Sequence, residues 1–259
     1  MTTNVNRIDE VEQYYQSALN ADKTVFYLFW IIAVISLLIP YVCKLQPSIE
    51  EGVKIFYILL VIGHFFTSLI LSIYLIPLAE KKRRKQLISN ALGTPLTQEK
   101  TELYYNNDFS PSILRLGANI MENCLFSREI ATKMLLPIRW TVGLYFVVWI
   151  VLFAIRQSNL DILLWITQLV FSSAIIMRWL QLELLRSRHD QNFENLYSYF
   201  LNGQHESAKS TAIILDAFAT YESTKSAAGI MLSSKVFQKI NPKLTLKWQQ
   251  LRAELKMKE

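Results

Sequence analysis

The sequence predicts an all-α polytopic membrane protein with four transmembrane helices and cytoplasmic helical extensions, and three observations predict it. The 259-residue chain is 52% hydrophobic and its mean hydropathy is +0.22, where ordinary soluble chains fall below zero. Four long stretches carry no charged residue. Around them, apolar residues recur at i, i+3, i+4, the period of an amphipathic helix. Two cysteines, Cys43 and Cys124, are too few to staple a fold of this size, and neither has a Cys or His at metal-ligand spacing. With His64, His189 and His205 far apart as well, a disulfide scaffold and metal catalysis are both poor descriptions. No metal and no cofactor is expected.

Residues 1–23 read as a cytoplasmic leader, with Ile8, Val11, Tyr15, Ala18 and Leu19 at helical spacing over Asn6 to Leu19. Acidic Asp9, Glu10, Glu12 and Asp22 precede the first apolar run and no small-residue cleavage site follows it, so a removable signal sequence is not expected. Residues 24–78 form the first predicted transmembrane hairpin. Its first run, Thr24 to Val42, makes a helix about 28 Å long, close to the roughly 30 Å hydrocarbon core. Its second, Ile55 to Leu78, is long enough to span with tilt.

Residues 79–139 read as a cytoplasmic helical linker domain. A basic helix continues to about Ala91, and Leu92 to Thr97, with Gly93 and Pro95, breaks it. Ser110 and Pro111 then fit the cap and first position of a helix carrying Ile113, Leu116, Ile120, Met121, Leu125 and Phe126. Ser127 is the expected cap of a further short helix, with Glu129 near its start. The second predicted hairpin, residues 140–178, holds the runs Trp140 to Ile155 and Ile162 to Met177, with Asp161 and Arg178 near the interfaces. Residues 179–259 form a cytoplasmic C-terminal helical domain. One helix carries Trp179, Leu182, Leu185 and Phe193 towards Phe200, and Asn202-Gly203 ends it. A second runs from about Glu206 to Thr224 with Ile213, Leu215, Ala217 and Phe218 as its apolar set. After a break at Asn241-Pro242, a last helix carries Leu244, Leu246, Trp248, Leu251 and Leu255.

Charge sets the expected orientation. Lys and Arg number 27 against 21 acidic residues, a net +6, and the densest cluster is Lys81, Lys82, Arg83, Arg84 and Lys85, directly after the second run. By the positive-inside rule these five residues determine topology: the cluster and both termini face the cytoplasm, and the external loops are short. Placed there, the cations account for the basic balance without nucleic acid, which is not an expected partner.

The segments outside the apolar runs contain no P-loop, GxGxxG, His-Glu-x-x-His or nucleophile elbow, so no catalytic residue and no enzyme activity is expected. Within the apolar runs His64, Thr67, Ser68, Ser72, Gln168 and Ser172 are side chains that lipid penalises. They serve either as hydrogen-bonding glue between helices or as the wet lining of an oligomeric pore. His64, Ser68 and Ser72 recur four apart, as do Gln168 and Ser172. Between the hairpins, Tyr104, Tyr105, Asn106 and Asn107 are suited to stacking on and hydrogen-bonding a nucleotide, with Arg115 or the basic cluster for phosphate. They are equally suited to a turn whose Asn side chains satisfy local backbone. Asn119, Glu122 and Asn123 share one helix face and form either a structural network or a contact site.

The run from Lys85 to Met134 carries Ser89-Asn90-Ala91-Leu92-Gly93-Thr94, Tyr104-Tyr105-Asn106-Asn107, Arg115-Leu116-Gly117-Ala118-Asn119 and Glu122-Asn123-Cys124-Leu125-Phe126-Ser127. With the four-span layout over residues 24–180, it resembles the cytoplasmic section of bacterial four-transmembrane pore-forming effectors of anti-phage defence systems. The resemblance implies a homo-oligomer in a lipid bilayer, activated by a cyclic nucleotide or a separate defence-system sensor protein, whose output is membrane disruption. The competing expectation is a non-conducting membrane adaptor that recruits a soluble defence protein. A small transporter lacks an internal repeat here, and an intramembrane enzyme lacks paired carboxylates.

Overall fold

A computed structural model describes residues 8–45, 49–102, 104–105, 107, 109–154, 174–203 and 207–257. The fold is all-α but for one two-stranded ladder. In chain order the elements are β1 (Ile8–Asp9), α1 (Glu12–Leu45), α2 (Glu50–Ile70), a π-helical turn (Leu71–Leu75), α3 (Ile76–Leu92), β2 (Thr101–Glu102), α4 (Ile113–Ala154), α5 (Ala174–Leu201), α6 (Ala208–Ala228) and α7 (Ser234–Glu254). β1 pairs antiparallel with β2, Ile8 opposite Glu102 and Asp9 opposite Thr101. Three of these helical stretches are long and apolar enough to cross a membrane by length and composition: Glu12–Ser36, Glu50–Leu92 and Ile113–Val151. The run expected as a fourth span, Ile162 to Met177, lies largely outside the described residues.

The chain divides into two compact units. One comprises Met1–Glu12, Glu80–Thr141 and Met177–Glu259 and has a buried hydrophobic core. Leu87 and Ala91 of α3, Ile120, Met121 and Leu125 of α4, Leu196 and Phe200 of α5, Ile214 of α6 and Trp248 of α7 pack in one cluster. Ala131, Leu135, Leu182, Leu185 and Ala228 form a second. Arg128 ties α4 to α5 by an ion pair with Asp190 at 2.6 Å and by lying over the Phe193 ring at 4.2 Å.

The other unit, Gln13–Ala79 and Val142–Ile176, is apolar on its outside. No residue of α2 is buried; Ile55, Phe56, Leu59, Phe65 and Phe66 are all exposed, as are Phe26, Ile31 and Val34 of α1 and Leu144, Val147, Ile150 and Phe153 of α4.

Several local expectations need correction. Within the leader, Ile8 and Asp9 are extended in β1 rather than helical, and the helix starts at Glu12 and runs on unbroken through the first apolar run. Ser110 and Pro111 precede α4 rather than opening it. Ser112 is the capping residue, its Oγ accepting from the Arg115 N–H at 3.2 Å, while its own N–H donates to the Ala91 carbonyl at 2.9 Å. Pro111 thus sits where a Cβ on Gly93 would lie, 3.0 Å away, and Gly93 has φ +66°, so this turn requires glycine twice over.

Ser127 caps nothing. α4 passes straight through it, because the apolar stripe from Met121 and Leu125 continues to Ala131 and Leu135, and its burial outweighs a local cap preference. Asn241-Pro242 does not break α7, which runs from a Ser233 cap past Pro242. The missing N–H falls on an exposed turn where water can take the freed Gln238 carbonyl. The buried stripe of α6 is Ser210, Ile214, Ala217, Tyr221, Thr224 and Ala228. Leu215, expected on that stripe, is exposed, as is Leu246 on α7. The breaks expected at Gly93 and Gly203 are present, each with positive φ, and α6 runs past Thr224 to end at Gly229, also with positive φ.

Candidate functional site

The chemistry of the chain gathers in the unit with the buried core. It starts on α4, where Asn119, Glu122 and Cys124 are buried and Asn123 half-buried. Asn119 is fully enclosed. Its Oδ1 accepts from Asn107 Nδ2 at 2.5 Å and its Nδ2 donates to Asn90 Oδ1 at 3.1 Å. This chain of three amides ties α3, the segment before α4, and α4 together, the structural half of the two readings given to Asn107 and Asn119. Asn107 Oδ1 is buried without a hydrogen-bond partner among the described residues.

Tyr104 and Tyr105 meet edge to face with ring centroids 4.8 Å apart. The Arg83 guanidinium lies 4.2 Å over the Tyr104 ring, a cation–π contact. Burial, and then the neighbouring Tyr104, push the Tyr105 phenol well above its usual range, so it stays neutral. It lies near Asn123 but makes no hydrogen bond of ordinary geometry among the described residues. Asn106 lies outside the described residues. The Arg115 backbone N–H donates to the Ser112 cap, and its Nε is buried with no hydrogen-bond partner among the described residues.

Behind the asparagines is a pair that the sequence pattern did not reveal. Cys124 Sγ stands 3.6 Å from His189 Nδ1, and Asn192 Nδ2 is 3.6 Å from the same sulfur while donating to the Ala217 carbonyl at 2.9 Å. The His189 ring packs against Tyr221 at 5.3 Å, and its Nε2 is buried without a described partner. Burial lowers the His189 pKa to about 3, the Lys225 charge adding to the effect, while burial pushes the Cys124 thiol far up. Near neutral pH the pair is therefore a thiol beside a neutral imidazole, not a thiolate beside an imidazolium, and lacks the activated nucleophile of Cys-His catalysis.

A readable signal did exist. His189 and Asn192 fall on the stripe Leu182, Leu185, Leu196, Phe200, so polar residues occupy helix positions whose neighbours are all core. Next to them Lys225 lies 2.8 Å from Glu222 and 4.6 Å over the Tyr221 ring. Glu80 has its carboxyl pKa raised, by burial first and by Glu222, against the opposing pull of Lys225 and Arg84. Among the described residues no three His, Cys, Asp or Glu side chains come together to hold a metal ion.

The basic cluster is less uniform than its sequence. Arg83 Nη2 is paired with Asp9 Oδ2 at 2.8 Å, with both side chains nearly enclosed, and Lys82 with Glu99 at 2.5 Å. Lys81, Arg84 and Lys85 are exposed. On α2, Thr67 donates to the Gly63 carbonyl at 2.7 Å, and in the π-helical turn Ser72 donates to the Leu69 carbonyl at 3.3 Å. His64 and Ser68 are half-buried. Gln168 and Ser172 lie outside the described residues.

Among the described residues, fold and site together define an all-α protein with three helical stretches of membrane-spanning length and composition and a polar-centred helical unit. Comparison with protein-family models, curated proteins and solved structures finds no match.

Proposed function

We propose that the chain is a membrane-disrupting or pore-forming effector of a bacterial anti-phage defence system, seated in the inner membrane with both termini cytoplasmic. The four apolar runs make up its bilayer part, and the polar-centred unit receives the activating signal or partner. One observation carries the membrane half of this reading: α2 has no buried residue and turns aromatic and branched aliphatic side chains outward along its length. Contiguous apolar surface on that scale is costly in water, at about 25 cal/mol per Å², and is matched by lipid. The effector half rests on the resemblance described above. A pore requires several copies, because four helices enclose too little space for a channel.

The non-conducting adaptor remains the second reading, and two hydrogen bonds favour it. Thr67 and Ser72 already donate to carbonyls of their own helix, so neither hydroxyl needs water or a neighbouring helix to be satisfied.

Expression of the intact chain in a bacterial host, with membrane potential and dye entry recorded through induction, separates the two. The effector reading expects depolarisation before growth stops, weakened by Ser68→Leu. Growth arrest at full membrane potential, or no arrest in the presence of every activating signal, would overturn it. Recovery of the chain in the soluble fraction without detergent would overturn both readings.

A further inference from the structure

Residues 8–12 are fastened to the rest of their unit in an unusual way. Only two residues of β-ladder hold them, Ile8–Asp9 against Thr101–Glu102, and a two-residue pairing is marginal by itself. The ladder is extended by Glu10, whose N–H donates to the Lys100 carbonyl at 3.1 Å while its carboxylate accepts from the Lys100 N–H at 2.7 Å. Asp9 is inserted against Arg83, with the two side chains 7% and 11% exposed. The apolar hold is small: Val11 is fully buried, but Ile8 is 42% exposed. Among the described residues, the attachment combines the enclosed Asp9–Arg83 pair and a few backbone bonds with one fully buried apolar side chain, Val11. Such segments open at the low-stability end of a fold while the core stays closed.

What the strap holds matters. It leads directly into α1 at Glu12, the helix that begins the first membrane-length stretch, and it is clamped to Arg83 at the basic turn of α3, the same arginine that covers Tyr104. We infer that residues 8–12 form an autoinhibitory strap, in which Asp9 on Arg83 and Glu10 on Lys100 hold the start of α1 in its resting position, and whose release is the step that activates the chain. This inference rests on the effector reading. A signal that competes for Arg83, or that moves Tyr104, releases the strap without unfolding the core.

The test uses the full chain, carrying Cys43→Ser, reconstituted in lipid vesicles loaded with a self-quenching dye. Two arms report on the strap itself. Hydrogen exchange at residues 8–12 is expected to rise about tenfold or more in Asp9→Asn, since removing one member of an enclosed pair strands the other. Amides of α4, α5 and α6 are expected to keep wild-type rates, and Asp9→Arg with Arg83→Asp to recover part of the protection. A further variant, Ile8→Cys with Glu102→Cys, places thiols on facing positions of an antiparallel ladder, within disulfide range. Its oxidised form is expected to retain dye that the reduced form and Asp9→Asn release.

Unchanged exchange in Asp9→Asn overturns the inference, because the strap is then not held by that contact. Raised exchange with equal dye release from oxidised and reduced forms also overturns it, and leaves the effector reading standing. No release from any form, including those with the strap open, overturns the effector reading and the strap's role with it.

Discussion

Cys124 and His189, 65 residues apart in sequence, stand 3.6 Å apart in the interior, and Asn192 closes on the same sulfur. In a cleft this trio would suggest thiol chemistry. Enclosed as it is, each group keeps the protonation state that carries no charge, and the trio acts as a neutral polar knot joining α4, α5 and α6.

The imidazole makes stability depend on pH with a defined sign. Its pKa is about 3 in the folded chain against about 6.5 in an unfolded one, so between those values the unfolded state binds more protons and stability rises with pH. The denaturation midpoint of the wild type should therefore fall on acidification from about pH 6.5 towards pH 3. In His189→Gln the fall over that window should be shallower. Parallel profiles for the two proteins would show that His189 takes up its proton in the folded chain.

The thiol should be inert. In a Cys43→Ser background, a maleimide or disulfide reagent is expected to label Cys124 only as fast as the core opens, many orders of magnitude slower than in denaturant. Rapid labelling of folded protein would contradict the burial that holds the thiol protonated.

Asn119 is the centre of the amide chain, so Asn119→Ala leaves the half-buried Asn90 and Asn107 each short of a partner. Stranded buried polar groups cost about 1–3 kcal/mol each. The denaturant midpoint should drop accordingly with an unchanged slope. Loss of response to an activating signal with no loss of stability would instead make Asn119 a contact residue.

Gly117 lets three helices approach closely. A Cβ there would meet Ile214 at 3.1 Å and Phe200 at 3.2 Å, and both neighbours are fully buried. Alanine gains up to about 1 kcal/mol of helix preference, but overpacking a filled core costs about 1–3 kcal/mol. Gly117→Ala is therefore expected to lower thermal stability, and Ile214→Val in the same chain to restore part of it.

How far the sequence could be read depends on which physical signal was local. Gly93 and Gly203 mark helix ends in both sequence and structure, because a residue with positive φ is a local demand, whereas the helix that Gly229 ends was read as stopping at Thr224. The caps were misread: Ser110 and Ser127 have cap chemistry, yet the neighbouring Ser112 caps α4 and Ser127 lies mid-helix, since the continuous buried stripe decides where a helix stops. Pro242 failed as a break for a similar reason, its missing bond falling on an exposed turn.

At the site, Asn119 and Asn107 were legible as polar residues but their pairing was not, and the basic cluster was read beside Tyr104–Asn107 as a phosphate contact, not as the source of the Arg83 guanidinium over the Tyr104 ring. Cys124 and His189 were set aside because ligand spacing along a sequence says nothing about residues that meet across helices. Asp9 was read only as an obstacle to a signal sequence, when its partner is Arg83.

Pro137 lies inside α4 on an exposed turn, where its ring removes the backbone bond to Lys133. Thr141 leans back onto the Pro137 carbonyl at 3.0 Å, which adds nothing across the gap. α4 is therefore one backbone bond short at this turn. A helix bends most readily where proline interrupts its ladder, so curvature in α4 is expected to gather at this point.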